Sequence, residues 1–432
     1  MKGRLAILMV FLLVSLPVAG AFAQDSAGIE CFGSEGSDIS ILGVWQADEE
    51  ETFRTILAPV LDGCNLNLSY EGTRDLATVL STRVEGGAAP DIAALPNPGS
   101  LVNYYENMVP LADVGVNPDN YAPGWVARGS VNGTWYGLPV KTDVKSLVWY
   151  SPANFEAFGY EPPTTWSDFQ TFLDTLKNDT DVAPLAMGFE SGGATGWPAT
   201  DWIQDILLRT QGTDFVSGLI TGDTAWNDPA VVDAWNMYID WVTKYNNGGT
   251  DGALTVNYQD AILMPFQDPP QAWMVKQSGF AGSAVIQPNF DNFEYGTDFA
   301  FFTLPSPDGN PAAMQVGGDF MGVFNNTSAV QALMTYLSSP EGASAWAKAG
   351  FDLTPNNTVN TDDYPDQLTK DKADALANAP DVSFDVGDAL PAEVGQAEFD
   401  GITEAVGGGN VQDILNGIED TYTQAMGMNS GM

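Results

Sequence analysis

The chain has 432 residues, 44% of them hydrophobic and 16% charged, which suits two folded cores and excludes a disordered protein. It carries 15 basic against 56 acidic residues, a net charge of −41, so nucleic acid, anionic membranes and polyanionic substrates are disfavoured by repulsion. Histidine is absent, which removes Ser-His-Asp and Cys-His catalysis and the usual zinc sites.

The first residues read as an export leader over 1–23: Lys2 and Arg4, an apolar run over 5–18, and Ala21-Phe22-Ala23 before Gln24. The run is short for a bilayer, and no later segment is long and apolar enough to span one. The expected location of the mature chain is therefore the periplasm or the extracellular space. Two cysteines remain there, Cys31 and Cys64, each just ahead of a predicted strand. A strand–helix–strand crossover would bring both to one sheet edge, so a disulfide is expected, with two free thiols as the alternative.

After the leader, strands and helices alternate. Residues 39–45 (ISILGVW) form a near-continuous apolar run suited to a strand covered on both faces. Phe53, Ile56, Leu57, Val60 and Leu61 then make a helical stripe. Leu66, Leu68 and Tyr70 alternate as a second strand. Leu76, Val79, Leu80 and Val84 make another helix stopped by Gly86-Gly87, and 91–95 (DIAAL) is a third strand. This order implies a parallel sheet wrapped on both faces, with ligands beyond the carboxyl ends of its strands.

The middle of the chain is richer in helices. "PPTTWSDFQTFLDTL" offers an N-cap threonine before Trp166, Phe169, Phe172, Leu173 and Leu176 on one face. Trp235, Tyr238, Ile239 and Val242 mark a further helix, and these aromatics are assigned to the core. Val330, Leu333, Met334 and Leu337 predict another. "SPEGASAWAKAG" starts one more with Pro340 in its first turn and Gly350 beyond its end. Val411, Ile414, Leu415, Ile418 and Tyr422 give the last, before a frayed "GMNSGM". No separable linker divides the chain, so two lobes would have to be joined by more than one crossing.

Paired carboxylates are no argument for glycoside hydrolysis in so acidic a chain. No phosphate loop or calcium loop is present, so neither a metal nor a cofactor is expected. Aromatic segments rich in small residues carry more information. "SGGATGWPATDW" (191–202) sets two tryptophans beside a carboxylate in what reads as a loop, with Asp201 as the cap of the helix that follows. A sugar has apolar C–H faces and a hydroxyl rim, and is held by flat aromatic walls with charged or amide groups at the edge. "VWQAD" (44–48), "PVKTDVKSLVWYS" (139–151) and "QAWMVKQSGF" (271–280) have similar mixtures, and the glycines of "VGGDF" (316–320) allow close backbone approach.

With these segments in place, the chain resembles the family 1 extracellular solute-binding proteins of ABC sugar importers, the group that includes maltose-binding protein. The carrying residues, in order, are "ISILGVW", "GGAAPDIAALPNPG" (86–99), "YGLPVKTDVKSLVWYSPANFEAFGYEPPTTWSDF" (136–169), "SPEGASAWAKAG" (339–350) and "TPNN" (354–357). "GWPATDWIQDILLRTQ" and "VKSLVWYSP" look most like the alpha-glucoside-binding branch. The resemblance implies a two-lobed α/β periplasmic-binding-protein fold (type II) with three hinge crossings, near 141–145, 303–306 and 354–357. One lobe would comprise 25–143 plus 304–355, the other 144–303 plus 356–432. It also implies capture of a di- or oligosaccharide in the cleft by a monomer that hands it unchanged to ABC permease subunits. The expected sugar contacts are Trp45, Gln46 and Asp48 from the first lobe, with Gly318 and Asp319 after the second crossing. Lys145, Trp197, Asp201, Trp202, Trp273 and Lys276 are expected from the second. A secreted glycoside hydrolase and a sugar sensor for a receptor kinase are the alternatives.

Overall fold

The computed structural model describes residues 28–427, apart from 74, 97, 310 and 311 and the side chain of residue 48. The expected leader and the last five residues lie outside the described residues, as does the side chain of Asp48, one of the expected sugar contacts.

Two sheets organise the chain. The first is founded on β1 (Asp38–Gly43), β2 (Asn67–Gly72) and β3 (Ile92–Leu95), all parallel, with β1 central. Helices α1 (Asp48–Gly63) and α2 (Leu76–Glu85) form the crossovers. Phe53, Ile56, Leu57 and Val60 are fully buried, as the helical spacing of these side chains requires. Cys31 and Cys64 are joined by a disulfide with Cα atoms 5.4 Å apart, tying the approach to β1 to the end of α1.

The chain leaves this sheet along β4 (Gly137–Val144) and, after Lys145 and Ser146, enters the second sheet as β5 (Leu147–Tyr150). Helix α3 (Trp166–Asp179), capped by the Thr165 hydroxyl accepting from the Asp168 amide, leads to β6 (Ala183–Ala186). The stretch expected as a loop at 191–202 is instead the entry to helix α4 (Trp197–Thr210). Gly196 precedes it at φ 115°, and a Cβ there would stand 2.6 Å from the Phe399 carbonyl oxygen, so only glycine can make this turn. Pro198 sits in the first turn, where its missing N–H costs nothing. Asp201 therefore lies one turn inside the helix and is not its cap.

Helix α5 (Pro229–Tyr245) follows, and β7 (Ala272–Lys276) and β8 (Ala300–Thr303) complete a four-stranded sheet in the order β8-β5-β7-β6. The long strand β9 (Met314–Val323) returns to the first sheet, antiparallel to β3 and to β4. Helix α6 (Pro340–Ala349) packs on α1, with Gly350 closing it in the left-handed conformation. Then β10 (Val382–Phe384) pairs with residues Met314 to Val316 of β9. This departs from the expected partition, which gave all of 356–432 to the second lobe. Strand β9 outruns β3, and β10 satisfies backbone groups that would otherwise form an open edge. The following helices α7 (Ala392–Val406) and α8 (Val411–Ala425) do return to the second body, where Ile402, Leu415, Ile418 and Tyr422 join its core. A further apolar cluster spans both sheets through Val144, Val316 and Phe320 on one side and Leu147, Trp149 and Val275 on the other.

Candidate functional site

A cavity of about 310 Å³ opens where the two sheets meet. Strand β4 supplies its floor by simple alternation. Residues 140, 142 and 144 are buried behind the strand, while Lys141, Asp143 and, just beyond its end, Lys145 project into the cavity. Gly317 and Gly318 of the neighbouring β9 keep the lysine stems clear. A Cβ on Gly317 would come 2.9 Å from Lys145 Cε, and one on Gly318 2.6 Å from the Lys141 carbonyl oxygen.

Lys145 is the centre of a charged cluster. Its Nζ lies 2.8 Å from Asp385 Oδ2, 3.2 Å from Asp201 Oδ1 and 3.4 Å from Asp388 Oδ2. The Gln315 amide donates to both Asp201 Oδ1 (3.1 Å) and Asp385 Oδ2 (3.0 Å). Asp385 also caps the short helix after β10, its Oδ1 accepting from the Asp388 amide at 2.9 Å. Burial would raise Asp385, but Lys145 and these hydrogen bonds outweigh it and hold the carboxyl below the usual range. Burial drives the Asp201 carboxyl well upward against the pull of Lys145, with Asp385 adding to the rise. Asp388 is pushed up to about 7 by burial, partly offset by Lys145 and reinforced by Asp385. Asp143, whose Oδ1 accepts from the Gly279 amide, is likewise pushed up to about 7 by burial and by Asp352.

Across the cavity Lys141 Nζ pairs with Asp319 Oδ2 at 3.3 Å, and the same oxygen accepts from Trp45 Nε1 at 3.2 Å. Trp197, half-buried at the start of α4, forms the aromatic wall. Its Nε1 donates to Ser191 Oγ, Tyr258 meets it edge-on at 5.1 Å, and Lys145 Nζ lies 6.0 Å from its ring centroid.

Of the expected sugar contacts, Lys145, Trp197, Asp201, Gly318 and Asp319 all line this cavity. Other expected contacts are turned elsewhere. Trp45 is 1% exposed and packs on Phe53, Trp346 and Phe351, so it is a core residue that reaches the site only by holding Asp319. Trp202 is 2% exposed, edge-on to Trp241 in the second core. Trp273 is 3% exposed, boxed by Phe155, Phe158 and Tyr160, with its Nε1 donating to Thr180 Oγ1. Strand β7 is paired on both edges and covered on both faces, so no side chain on it reaches the cleft. Lys276 is buried with Asp205 at 2.7 Å and donates to the Asp201 carbonyl, fixing α4 from behind. Gln46 is exposed and donates to the Gly72 carbonyl. Lys141, Asp143, Asp385 and Asp388 were not anticipated. The alternation in "KTDVK" carried the signal for the first two; Asp385 and Asp388 had none.

The cavity therefore offers ammonium donors, carboxylate acceptors and an aromatic face, a set that recognises a polyhydroxylated ligand. Among the described residues, no group of acidic or cysteine side chains could hold a metal ion, and no helix is long and apolar enough to cross a membrane.

Comparisons with known proteins bear on the family and the fold. Residues 47–344 match the family described as bacterial extracellular solute-binding protein. The osmoprotective compounds-binding protein GgtB of Synechocystis sp. is 34% identical over 396 residues, covering 89% of this chain and 92% of that protein. The alpha-glucosides-binding periplasmic protein AglE of Rhizobium meliloti is 30% identical over 408 residues, covering 90% and 87%. Among solved structures, a chitin oligosaccharide binding protein superposes with a TM-score of 0.74 at 20% identity over 90% of this chain and 98% of that one.

Proposed function

Because the chain belongs to the bacterial extracellular solute-binding proteins, we propose that its cleft captures a small neutral glycoside, an alpha-glucoside or a comparable disaccharide, for an ABC importer. Members of this family bind a solute and release it unchanged, so the chain is a binding component and not an enzyme. The carrying observation is the single cavity in which Trp197 faces two lysine–aspartate pairs at the meeting of the two sheets. A volume of about 310 Å³ is at the small end of ligand sites, which favours one or two sugar rings over a long oligosaccharide. The name of one relative, which binds alpha-glucosides, supports that class of sugar.

In this reading the leader 1–23 is cleaved on export and the mature protein works as a monomer. The bodies close about the passages near 145, 303–306 and 385–388, and the permease recognises the closed form. The test is a melting-temperature screen with trehalose, sucrose and maltose, repeated on Trp197→Ala. A sugar at one hundred times its Kd adds roughly 2.7 kcal/mol, or roughly 3 °C at about 1.2 °C per kcal/mol for a chain of this length. The variant should lose most of that shift, and the sugar should be recovered intact. A panel without any shift, or release of monosaccharide, would refute the proposal.

A further inference from the structure

We infer that the cleft reads two vicinal diols on one uncharged ligand, one through the Lys141–Asp319 pair and one through the Lys145–Asp388 pair, and that it rejects sugars bearing a carboxylate or phosphate. This rests on the proposal that the cleft binds a small glycoside.

The two lysines leave the same face of β4 four residues apart, roughly 13 Å along an extended chain, a span that two linked sugar rings can cover. Lys141 has Asp319 at a slack 3.3 Å, and Lys145 has Asp201 at 3.2 Å and Asp388 at 3.4 Å, of which Asp201 is 5% exposed and held by Gln315 while Asp388 is open to the cavity. A tight charge-assisted bond is about 2.7–2.9 Å, so neither pair has collapsed on itself. Lys145 does make such a bond, at 2.8 Å, but to Asp385, whose side chain is 8% exposed and already committed to Gln315. Asp388 is 30% exposed and is the open member of the cluster.

An ammonium only donates and a carboxylate only accepts. Adjacent hydroxyls on a sugar ring are spaced much like the N–O gap of such a pair, so one can donate to the carboxylate while the other accepts from the ammonium. A lone hydroxyl satisfies half of the pair and leaves a desolvated charge short of a partner, the situation that gives strong rejection of deoxy analogues. The glycine pair fixes the arrangement, because a side chain at 317 or 318 would displace one lysine stem or the strand beneath the other.

Charge sets the second half of the inference. Asp143, Asp201, Asp319, Asp385 and Asp388 line the cavity against Lys141 and Lys145 alone. Both lysines are already paired with carboxylates, so an incoming anion finds no free cation, and burial that already disfavours the charged forms of Asp143, Asp201 and Asp388 would disfavour its charge too.

The experiment is isothermal titration calorimetry on the full mature chain. The ligands are whichever of trehalose, sucrose and maltose gives the largest melting shift, its analogues lacking the 2-hydroxyl of one glucosyl unit or bearing a 6-phosphate, and the proteins Asp388→Asn and Lys141→Met. Removing one hydroxyl of a gripped diol should weaken binding on the order of 100-fold or more, and the phosphate should not bind measurably. Each variant should weaken the parent sugar at least about tenfold while narrowing the gap between parent and deoxy analogue at its own end. Melting temperatures without ligand identify any variant that is misfolded, in which case Asp319→Asn replaces Lys141→Met and Asp388→Ser replaces Asp388→Asn. If the parent sugar binds but the deoxy analogue or the phosphate binds as well, or if both variants bind like the wild type, the inference is overturned and the functional proposal stands. If no neutral disaccharide binds, both fall.

Discussion

Replacing Lys145 by methionine should test the electrostatics of the site most directly. The ammonium has three carboxylates within 3.4 Å, and its side chain is 12% exposed. Methionine keeps much of the apolar stem and removes the charge, leaving only the neutral Gln315 amide to bridge Asp201 and Asp385. Breaking a buried pair from one side costs about 3–5 kcal/mol, which in a protein of this size is a melting-point fall of roughly 3–6 °C. The cost should depend on pH in a definite direction. Lys145 opposes the burial-driven rise of Asp201 and Asp388, so without it both are pushed further up. A carboxyl raised in the folded state contributes stability that is complete below its unfolded value and is lost as pH rises through its folded value. The variant should therefore lose stability more steeply than the wild type between about pH 4 and pH 8, where unfolded aspartate titrates near 3.9. Urea unfolding followed by tryptophan fluorescence at pH 8 and pH 5, at one salt concentration, gives both numbers. A cost below about 1 kcal/mol at pH 8, or the same cost at both values, would show that the cluster does not depend on this ammonium.

The wild type should itself be more stable at pH 5 than at pH 8. Asp143 and Asp388, both raised to about 7, give up their stabilising protons across that window, whereas the lowered Asp385 loses its contribution only in strong acid; calorimetry showing an equal or higher melting point at pH 8 would contradict this. The net charge of −41 predicts that melting rises from 0.01 M to 1 M potassium chloride, as the screening length falls from about 30 Å to about 3 Å; a flat salt profile would remove salt adaptation as an explanation of the acidity. The disulfide spans a sequence separation of 33, so Cys31→Ser with Cys64→Ser should cost roughly 3–4 kcal/mol on the chain-entropy account. Because the bridge lies at the outer end of α1, sugar affinity measured well below the new melting point should be unchanged.

Much of the framework could be read from the sequence because it depends on local period. The runs that became β1 and β3, the stripe on α1 and the threonine cap of α3 each follow from spacing alone. The tryptophans show where local reading stops. Trp45, Trp197, Trp202 and Trp273 all stand among small residues near a charge, and the sequence describes them alike. What separates them is the face each presents. Trp45 turns into the α1–α6 interface, Trp202 and Trp273 turn into the second core, and Trp197 alone looks across the cavity. Burial on both faces of β7 is a property of the sheet, and no window around "QAWMVK" contains it. The acidic half of the cluster was hidden for a different reason: Asp385 lies 240 residues from Lys145 and Asp388 lies 243, so no local window joins them.

That long-range pairing has a mechanical consequence. Lys145 sits on the passage from the first sheet to the second, while Asp385 and Asp388 sit on another passage, from β10 on the first sheet to α7 on the second body. Asp201, the third partner, belongs to α4. The cluster thus ties two chain passages to the wall that carries Trp197, and residues on passages move least when two bodies rotate about them. Lys141 and Asp319 lie further along β4 and β9, within the first sheet and away from the passage. Closure would bring the Lys141–Asp319 pair onto a ligand already held by Lys145, Asp388 and Trp197. On the proposed function, the second body should bind first and the first body should complete the grip. A ligand matched only to the second set should bind weakly and leave the protein open. Small-angle scattering distinguishes that from the compact form produced by the full ligand, and compaction by a ligand lacking the distal diol would refute this order.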